Sequence, residues 1–484
     1  MNDLTYHCKS AWNYVADEET AQEMDSFLAR YLAFLSSCKT ERETIAFVEQ
    51  NLRADGFVDD PAQGLFVRSL RGKALFAARR GTISLRQGLS LIAAHADSPR
   101  LDCKQRPLLE QASVAQAKTH YYGGIRKYQW LSRPLAIHGV VVLTNGERKE
   151  LVIGEEREDP VFCVADLLPH LAQKQQEQTV KEAFEGEKLN VIIGHRPERD
   201  TACEKERQGE GEREQEKNQE DAKEAVKKGV LHLLHERYGI CEEDLITADI
   251  EVVPAGPARY VGFDRGLIGG YGQDDRICVF TALEALRSTE HLGRTKAVIF
   301  WDKEEIGSDG ATGASSSFLR YCVEDIVRAW EPELPASHVF LATQALSADV
   351  TAALDPDFQE LHEKQNAALL GMGPCFSKFT GSRGKYGSSE ADAEYFALLR
   401  GILNEKKIPW QVAELGKVDS GGGGTVALFL AALGMQVIDL GPALLAMHSP
   451  FELSSAADVF ATFKAYSAFL QETHCVESVV RKRD

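Results

Sequence analysis

None of the ten cysteines stands in a Cys-x-x-Cys pair, which removes support for a zinc ribbon or a dithiol redox motif and leaves buried, reduced thiols as the expectation. No run of about 18 apolar residues occurs. Met1 to Trp12 also lacks a basic stretch followed by an apolar one. A cytoplasmic protein without membrane spans is therefore expected. Positive charge is scarce, since 55 Lys and Arg stand against 73 Asp and Glu, a formal charge of -18. Nucleic acid and anionic membranes reward positive surface, so neither is expected as a partner. The Gly421 to Gly424 run precedes a helical pattern, but no Gly-Lys-Ser/Thr follows, and nucleotide binding lacks its usual mark. A backbone that approaches the substrate closely is the simpler reason for Gly422 and Gly423.

The chain has 484 residues, 44% of them hydrophobic, enough for a large core and more than one domain. Phe27, Leu28, Tyr31, Leu32 and Leu35 recur at helical spacing, and Thr40 with Glu43 predicts a capping box for a second helix through Val48. Short apolar runs at Leu89 to Ala94, Ala297 to Trp301, Val339 to Ala342 and Gln436 to Leu440 read as strands. Helical patterns separate the last three, including Ile277, Phe280, Leu283 and Leu286, so an α/β sheet with crossover connections is expected. Between about Leu101 and Tyr260 the texture turns β-rich, at Leu135 to Thr144, Leu151 to Gly154 and Leu189 to Gly194. This predicts an insertion over 101–260 that splits a catalytic domain into 1–100 and 261–484. Within it, 197–228 is mostly Glu, Lys, Arg and Gln, a solvated tract without an expected catalytic role.

Polar residues follow the apolar runs, where open α/β sheets place their sites. His95 and Asp97 stand in AAHADSPRLD. They suit an ordinary hydrogen-bonded pair, or a metal ligand oriented by a carboxylate. Asp274 and Asp275 in GGYGQDDR open a helix, where acids also serve as simple caps. An aspartate on such a turn can instead give one oxygen to each of two cations. In AVIFWDKEEIGSDG a strand runs into Asp302, Glu304 and Glu305, and adjacent glutamates point differently, so one can bind metal while the other handles a proton. Asp349 and His448 follow two further strands.

The five candidates His95, Asp274, Glu305, Asp349 and His448 thus occupy comparable places on one expected sheet. With one acid shared, they give each of two divalent ions three ligands. Mixed nitrogen and oxygen donors suit zinc, with manganese or cobalt as substitutes. Ions roughly 3.5–4 Å apart would clamp a bridging hydroxide, so no serine or cysteine nucleophile is required. A metal-dependent peptidase, a deacylase or carboxypeptidase with the same ligands, and an inactive binding protein on the same fold are the readings this pattern admits.

The segments AAHADSPRLD, YGQDDR, WDKEEIGSDGATGA, LSADVTAALDP, TGSRGKYGSSEADAEY, KVDSGGGGT and GPALLAMHSPFE together resemble the aspartyl aminopeptidase family of cocatalytic zinc peptidases. They resemble especially the branch of vacuolar aminopeptidase I and its bacterial relatives. This resemblance implies a catalytic α/β/α sandwich interrupted by a smaller β-rich assembly domain, and release of N-terminal amino acids from peptides. It implies a bridging Asp274, one ion completed by His95 and Asp349, and another by Glu305 and His448. Glu304 would be the general base and Asp97 the support of His95. His170 would reach a neighbouring subunit's site within a tetrahedral homododecamer. Acid-selective members place a lysine directly after a Gly-Pro-x-x segment. Here Ser377 follows Gly373, Pro374, Cys375 and Phe376, and Lys378 arrives one residue late. Lys378 and Lys385 are the candidate side-chain contacts, and the offset predicts that neutral substrates are turned over as well as or better than acidic ones.

Overall fold

A computed structural model of the chain describes residues 4–197, 224–290 and 293–472. Two compact units emerge, one from Met1–Ser98 with Pro257–Asp484, the other from Pro99–Gly256.

In the first unit, Asp17 caps α1 (Glu18–Ser37) through the Thr20 amide. The capping box forms at α2 (Glu41–Ala54): Thr40 Oγ1 accepts from the Glu43 amide and Glu43 Oε2 accepts from the Thr40 amide, satisfying two otherwise open donors. Eight strands make the main sheet: β1 (Leu65–Leu70), β2 (Ala74–Arg79), β3 (Leu89–His95), β4 (Thr295–Trp301), β5 (Gln344–Ser347), β6 (Cys375–Ser377), β7 (Gln411–Val412) and β8 (Gln436–Gly441), in the order β1-β2-β4-β3-β5-β8-β6-β7. The four at its centre, β4, β3, β5 and β8, run parallel, so their carboxyl ends share one edge. Burial on both faces explains why β3 and β4 are unbroken apolar runs.

Helices cover each face, giving the α/β/α layers. Ile92, Ala94, Val298 and Phe300 pack with α1, α2, α3 (Gln273–Ser288) and the C-terminal helix Ala456–Gln471. Leu91, Ala93, Ala297 and Ile299 pack with Phe318–Trp330 and Ala336–Ala342 on the other face. Helix α3 is buried almost all round. Phe280 stacks or tilts against Phe27, Tyr31 and Phe34 at 5.3, 5.5 and 5.2 Å between ring centroids. Rings so enclosed contribute about 1.5–3 kcal/mol each by burial, which holds the helix start that carries Asp274.

Val339 to Ala342 is not a strand. It closes the helix Ala336–Ala342, and the strand is the next segment, β5. Only Thr343 separates the two elements, so the apolar texture runs on from one into the other.

The second unit is a six-stranded antiparallel sheet in the order Arg148–Ile153, Leu135–Val142, Asp249–Pro254, Arg100–Gln111, Val114–Tyr122, Val191–Gly194. The helix Ala225–Tyr238 packs on it. Of the polar tract 197–228, residues 198–223 lie outside the described residues, while Ala225 to Lys228 open that helix.

Among the described residues Cys38, Cys278, Cys322 and Cys375 are buried free thiols, but Cys8 and Cys241 are exposed. The expectation of buried thiols therefore fails where the chain runs outside the core, ahead of the first helix and just after Gly239. No helix among the described residues is long and apolar enough to cross a membrane.

Candidate metal centre

The candidate ligands leave two sheets, not one as expected. His95 ends β3 opposite Trp301, the last residue of β4, and Asp349 lies two residues beyond β5. A second sheet in the same unit has the order Arg259–Val261, Leu267–Gly270, Glu452–Ser455, Ala443–Leu445, Thr351–Ala352. Its strand Leu267–Gly270 leads to Asp274, the hairpin of Ala443–Leu445 with Glu452–Ser455 turns at His448, and Thr351–Ala352 begins just after Asp349.

Gly272 makes the approach to Asp274 feasible. Its φ is +69°, and a Cβ there would lie 1.4 Å from the guanidinium of the buried Arg276. Asp274 and Asp275 depart from helical dihedrals and are joined by a cis peptide bond. The buried Asp274 carboxylate then faces both histidines, with Oδ1 3.1 Å from His95 Nε2 and Oδ2 3.1 Å from His448 Nε2.

After β4 the chain turns through Lys303, φ +72°, into Glu304–Ile306. Asp97 fixes this turn, because its Oδ1 accepts from the Glu304 amide at 3.1 Å and its Oδ2 from the Glu305 amide at 3.2 Å. The neighbouring glutamates then diverge. A Glu305 oxygen lies 3.4 Å from His448 Nε2, and a Glu304 oxygen 3.9 Å from His95 Nε2. The Asp349 carboxylate is 4.0 Å from His95 Nε2. Asp97 also lies 3.3 Å from His95 Nδ1, which in turn is 3.0 Å from the Asp97 main-chain oxygen. Donation from Nδ1 leaves Nε2 free to act as an electron-pair donor toward the cluster. Asp275 Oδ2 accepts from the His95 amide at 3.4 Å, and Asp302 accepts from the Thr312 hydroxyl at 2.9 Å.

The charges are set against one another. Burial pulls the imidazoles down, but hydrogen bonds to Asp274 prevail, so His95 is pushed well up and His448 up to about 10. Burial also opposes ionisation of Asp274, yet contact with His448 and His95 holds its carboxyl below the usual range. Burial and the Asp274 charge push Glu305 well up, and burial with Asp275 does the same to Asp349. Burial, reinforced by Asp274 and Asp97, brings Glu304 up to about 7.

Several carboxylates share a buried space with too little positive charge, and this is the environment that favours divalent cations. The residues fit such ions in two further respects. Asp274, Glu305 and His448 present donor atoms within 4.8 Å of one another, as do His95, Asp275 and Asp349, and His95 with Glu304 and Glu305. Glu305 Oε1 is buried without a hydrogen-bond partner, a costly position for a carboxylate oxygen unless a cation meets it.

The cluster opens into a cavity of about 560 Å³ whose wall includes Asp274, Glu304, Glu305, Asp349 and His448. Elsewhere its wall includes Phe379, Leu415, Val418 and Met447, together with Lys385, Gly422 and Gly423. Lys378, in the bend that follows β6, is not part of the wall, although Ser377 and Phe379 on either side are. Lys385 Nζ is 2.8 Å from Glu390 and 3.9 Å from the Phe379 ring centroid, and Lys378 Nζ is 3.9 Å from the same Glu390. The glycine run, besides lining the cavity, makes a close approach to a neighbouring strand. Gly422, φ +128°, pairs with Ser382, and a Cβ there would lie 2.3 Å from the Gly381 carbonyl oxygen. Sequence reasoning missed Asp439, a buried wall residue on β8 pushed up to about 6 by burial. Its only signal was an acid inside the apolar run QVIDLG. His170 sits in an exposed turn of the second unit, beside Leu167, Leu168 and Leu171.

Comparison with known proteins points the same way. The family model described as Aminopeptidase I zinc metalloprotease (M18) matches residues 34–470. A Clostridium acetobutylicum protein named Probable M18 family aminopeptidase 1 is 44% identical, over 97% of this chain and 99% of its own. The crystal structure of an M18-family aminopeptidase from Thermotoga maritima superposes with a TM-score of 0.87 at 45% identity, over 96% of this chain and 100% of that one. The S. cerevisiae structure titled mApe1 dodecamer shares the fold, with a TM-score of 0.74 at 21% identity over 95% of this chain and 100% of that one.

Proposed function

Because the chain belongs to the M18 family of aminopeptidase I zinc metalloproteases and is a zinc aminopeptidase, we propose that it releases N-terminal residues from peptides at a two-ion centre bridged by Asp274. His95 and Asp349 would hold one ion, and Glu305 and His448 the other. The observation that carries this reading is Asp274, whose two oxygens face the two histidines at 3.1 Å each. Zinc is the ion the donors fit, with manganese or cobalt as substitutes. When bound, such ions would supply Lewis-acid chemistry, making water acidic enough to ionise near neutral pH and polarising the scissile carbonyl.

The remaining chemistry belongs to the chain. Glu304 lies beside the cluster, its main chain pinned by Asp97, and takes the proton of the attacking water before delivering it to the leaving amine. Asp97 keeps His95 in the tautomer that presents Nε2. The apolar part of the cavity wall receives the N-terminal side chain. Lys385 pairs with Glu390 at 2.8 Å and Lys378 is not part of the cavity wall, which argues against either as the counter-ion for an acidic side chain.

A chromogenic panel beside metal analysis tests this reading. We expect two zinc ions per chain, kcat/KM for leucyl substrate equal to or above that for aspartyl and glutamyl substrates, and no turnover of N-acetyl-leucyl substrate. A clear preference for acidic side chains would overturn the specificity, and turnover of the acetylated substrate would show a deacylase-like site.

We also propose assembly into a homododecamer, with the inserted unit carrying contacts and His170 reaching a neighbouring site. The exposed Leu167, Leu168 and Leu171, at 52, 50 and 69% exposure, form an apolar patch suited to an interface. Light scattering after size exclusion should give a particle of twelve chains. A fully active monomer would contradict both the assembly and the role of His170.

A further inference from the structure

Glu452 belongs to none of the proposed ligand groups, yet it sits at the centre of the sheet that delivers two of them. Its strand, Glu452–Ser455, lies between Leu267–Gly270, which leads to Asp274, and Ala443–Leu445, which leads to His448. The side chain is buried, and its two oxygens divide between the two ligand residues. Oε1 accepts from the His448 amide at 2.7 Å and Oε2 from the Asp274 amide at 3.2 Å. The Glu452 carbonyl oxygen accepts from Gln273 Nε2 at 2.8 Å, and Gln273 Oε1 accepts from the Ser454 hydroxyl at 2.6 Å, so the start of α3 is stitched to the same strand.

A carboxylate in this place is disfavoured by burial and by the charge of Asp274 close by. A neutral residue would pack there at lower cost, but it would not offer two acceptors to two amides. The loop it holds also needs holding. Ala446 has φ +55° and His448 φ +63°, left-handed conformations that residues with a Cβ rarely adopt. Asp97 makes the same kind of link on the opposite side of the cluster, one oxygen to each amide of Glu304 and Glu305.

We infer that Glu452 is a positioning residue for the metal centre: its carboxylate ties the backbones of Asp274 and His448 together and presets the 3.1 Å approach of their side chains before an ion arrives. The inference rests on the reading of Asp274 and His448 as ligands. An ion that finds these donors already in place does not have to order the His448 loop, so the tie acts on metal affinity.

The test is competitive chelator titration of zinc on the full chain, with zinc alone as the probe. In Glu452→Gln one amide faces an NH2 group in place of an oxygen. The zinc dissociation constant of the half-site that holds His448 should rise about 10–100-fold, and that of the other half-site less, since Asp274 is shared between them. Glu452→Asp, which keeps the charge but is too short to span both amides, should show the same split if the glutamine variant does not fold. Adding Ala446→Gly to Glu452→Gln relieves the strain in the same loop and should recover part of the lost affinity, which general destabilisation at 452 would not allow. Wild-type affinity for both ions in the position-452 variants would overturn the inference. His448→Ala separates the two levels of the argument, since retention of two tightly bound ions there would refute the ligand reading itself.

Discussion

Glu304→Gln is expected to lower kcat by about 10²–10⁴-fold while both zinc ions stay bound, the range that removal of a positioned general base produces. The substitution keeps the shape of the side chain, and the amide link from Glu304 to Asp97 is unaffected because it uses the main chain. What disappears is the capacity to accept a proton. The distances make this a sharp test. Glu304 lies 3.9 Å from His95 Nε2, close enough that His95, Glu304 and Glu305 could together hold an ion. If Glu304 were a ligand, the glutamine variant would lose zinc along with activity. If it is the base, stoichiometry stays at two, kcat falls, and KM changes little because substrate binding uses other parts of the wall. Metal content measured beside steady-state kinetics separates these outcomes, and loss of an ion would move Glu304 into the ligand set.

Much of this site was legible because strands buried on both faces leave unbroken apolar runs, so His95 and the Glu304–Glu305 pair could be placed at strand ends from spacing alone. The same signal misled at Val339 to Ala342, where a helix and a strand share one apolar texture. It also hid the second sheet, whose strands are short and whose residues serve loops as much as layers. Asp274 and His448 looked like further strand-end residues of one sheet, yet they leave the smaller one. Glu452 was invisible for the same reason. Nothing local to HSPFE reveals that its carboxylate meets the amides of residues 448 and 274, since the second lies 178 positions away. The glycine run illustrates the converse. Its need for small residues was readable, but its contact with Gly381 and Ser382 depends on tertiary pairing. The one-residue offset of Lys378 was readable from the Gly373–Pro374 segment, whereas its approach to Glu390 at 3.9 Å was not.

Asp274→Asn should reduce bound zinc from two ions to one or none, and lower kcat/KM by about 10³-fold or more, because ion stabilisation of the transition state is worth several kcal/mol. The variant loses a full negative charge at the point where both half-sites meet. It also places an NH2 donor against either His95 Nε2 or His448 Nε2, whichever oxygen is replaced, and that nitrogen cannot coordinate. Only a shared ligand predicts damage to both ions from one atom's exchange. His448→Ala removes a donor from one half-site and should leave the ion at His95 and Asp349. Asp275→Asn is the control within the same dipeptide. Asp275 Oδ2 accepts from the His95 amide, so its exchange should disturb the position of His95 without removing a bridge. The comparison reads zinc per chain, the two dissociation constants, and the zinc-dependent rise in melting temperature, which follows ligand occupancy through RT ln(1 + [L]/Kd). For Asp274→Asn that rise should vanish or halve. Two ions held at wild-type affinity would mean that Asp274 does not bridge, and the bridging role would then pass to Asp275 if its own variant loses both.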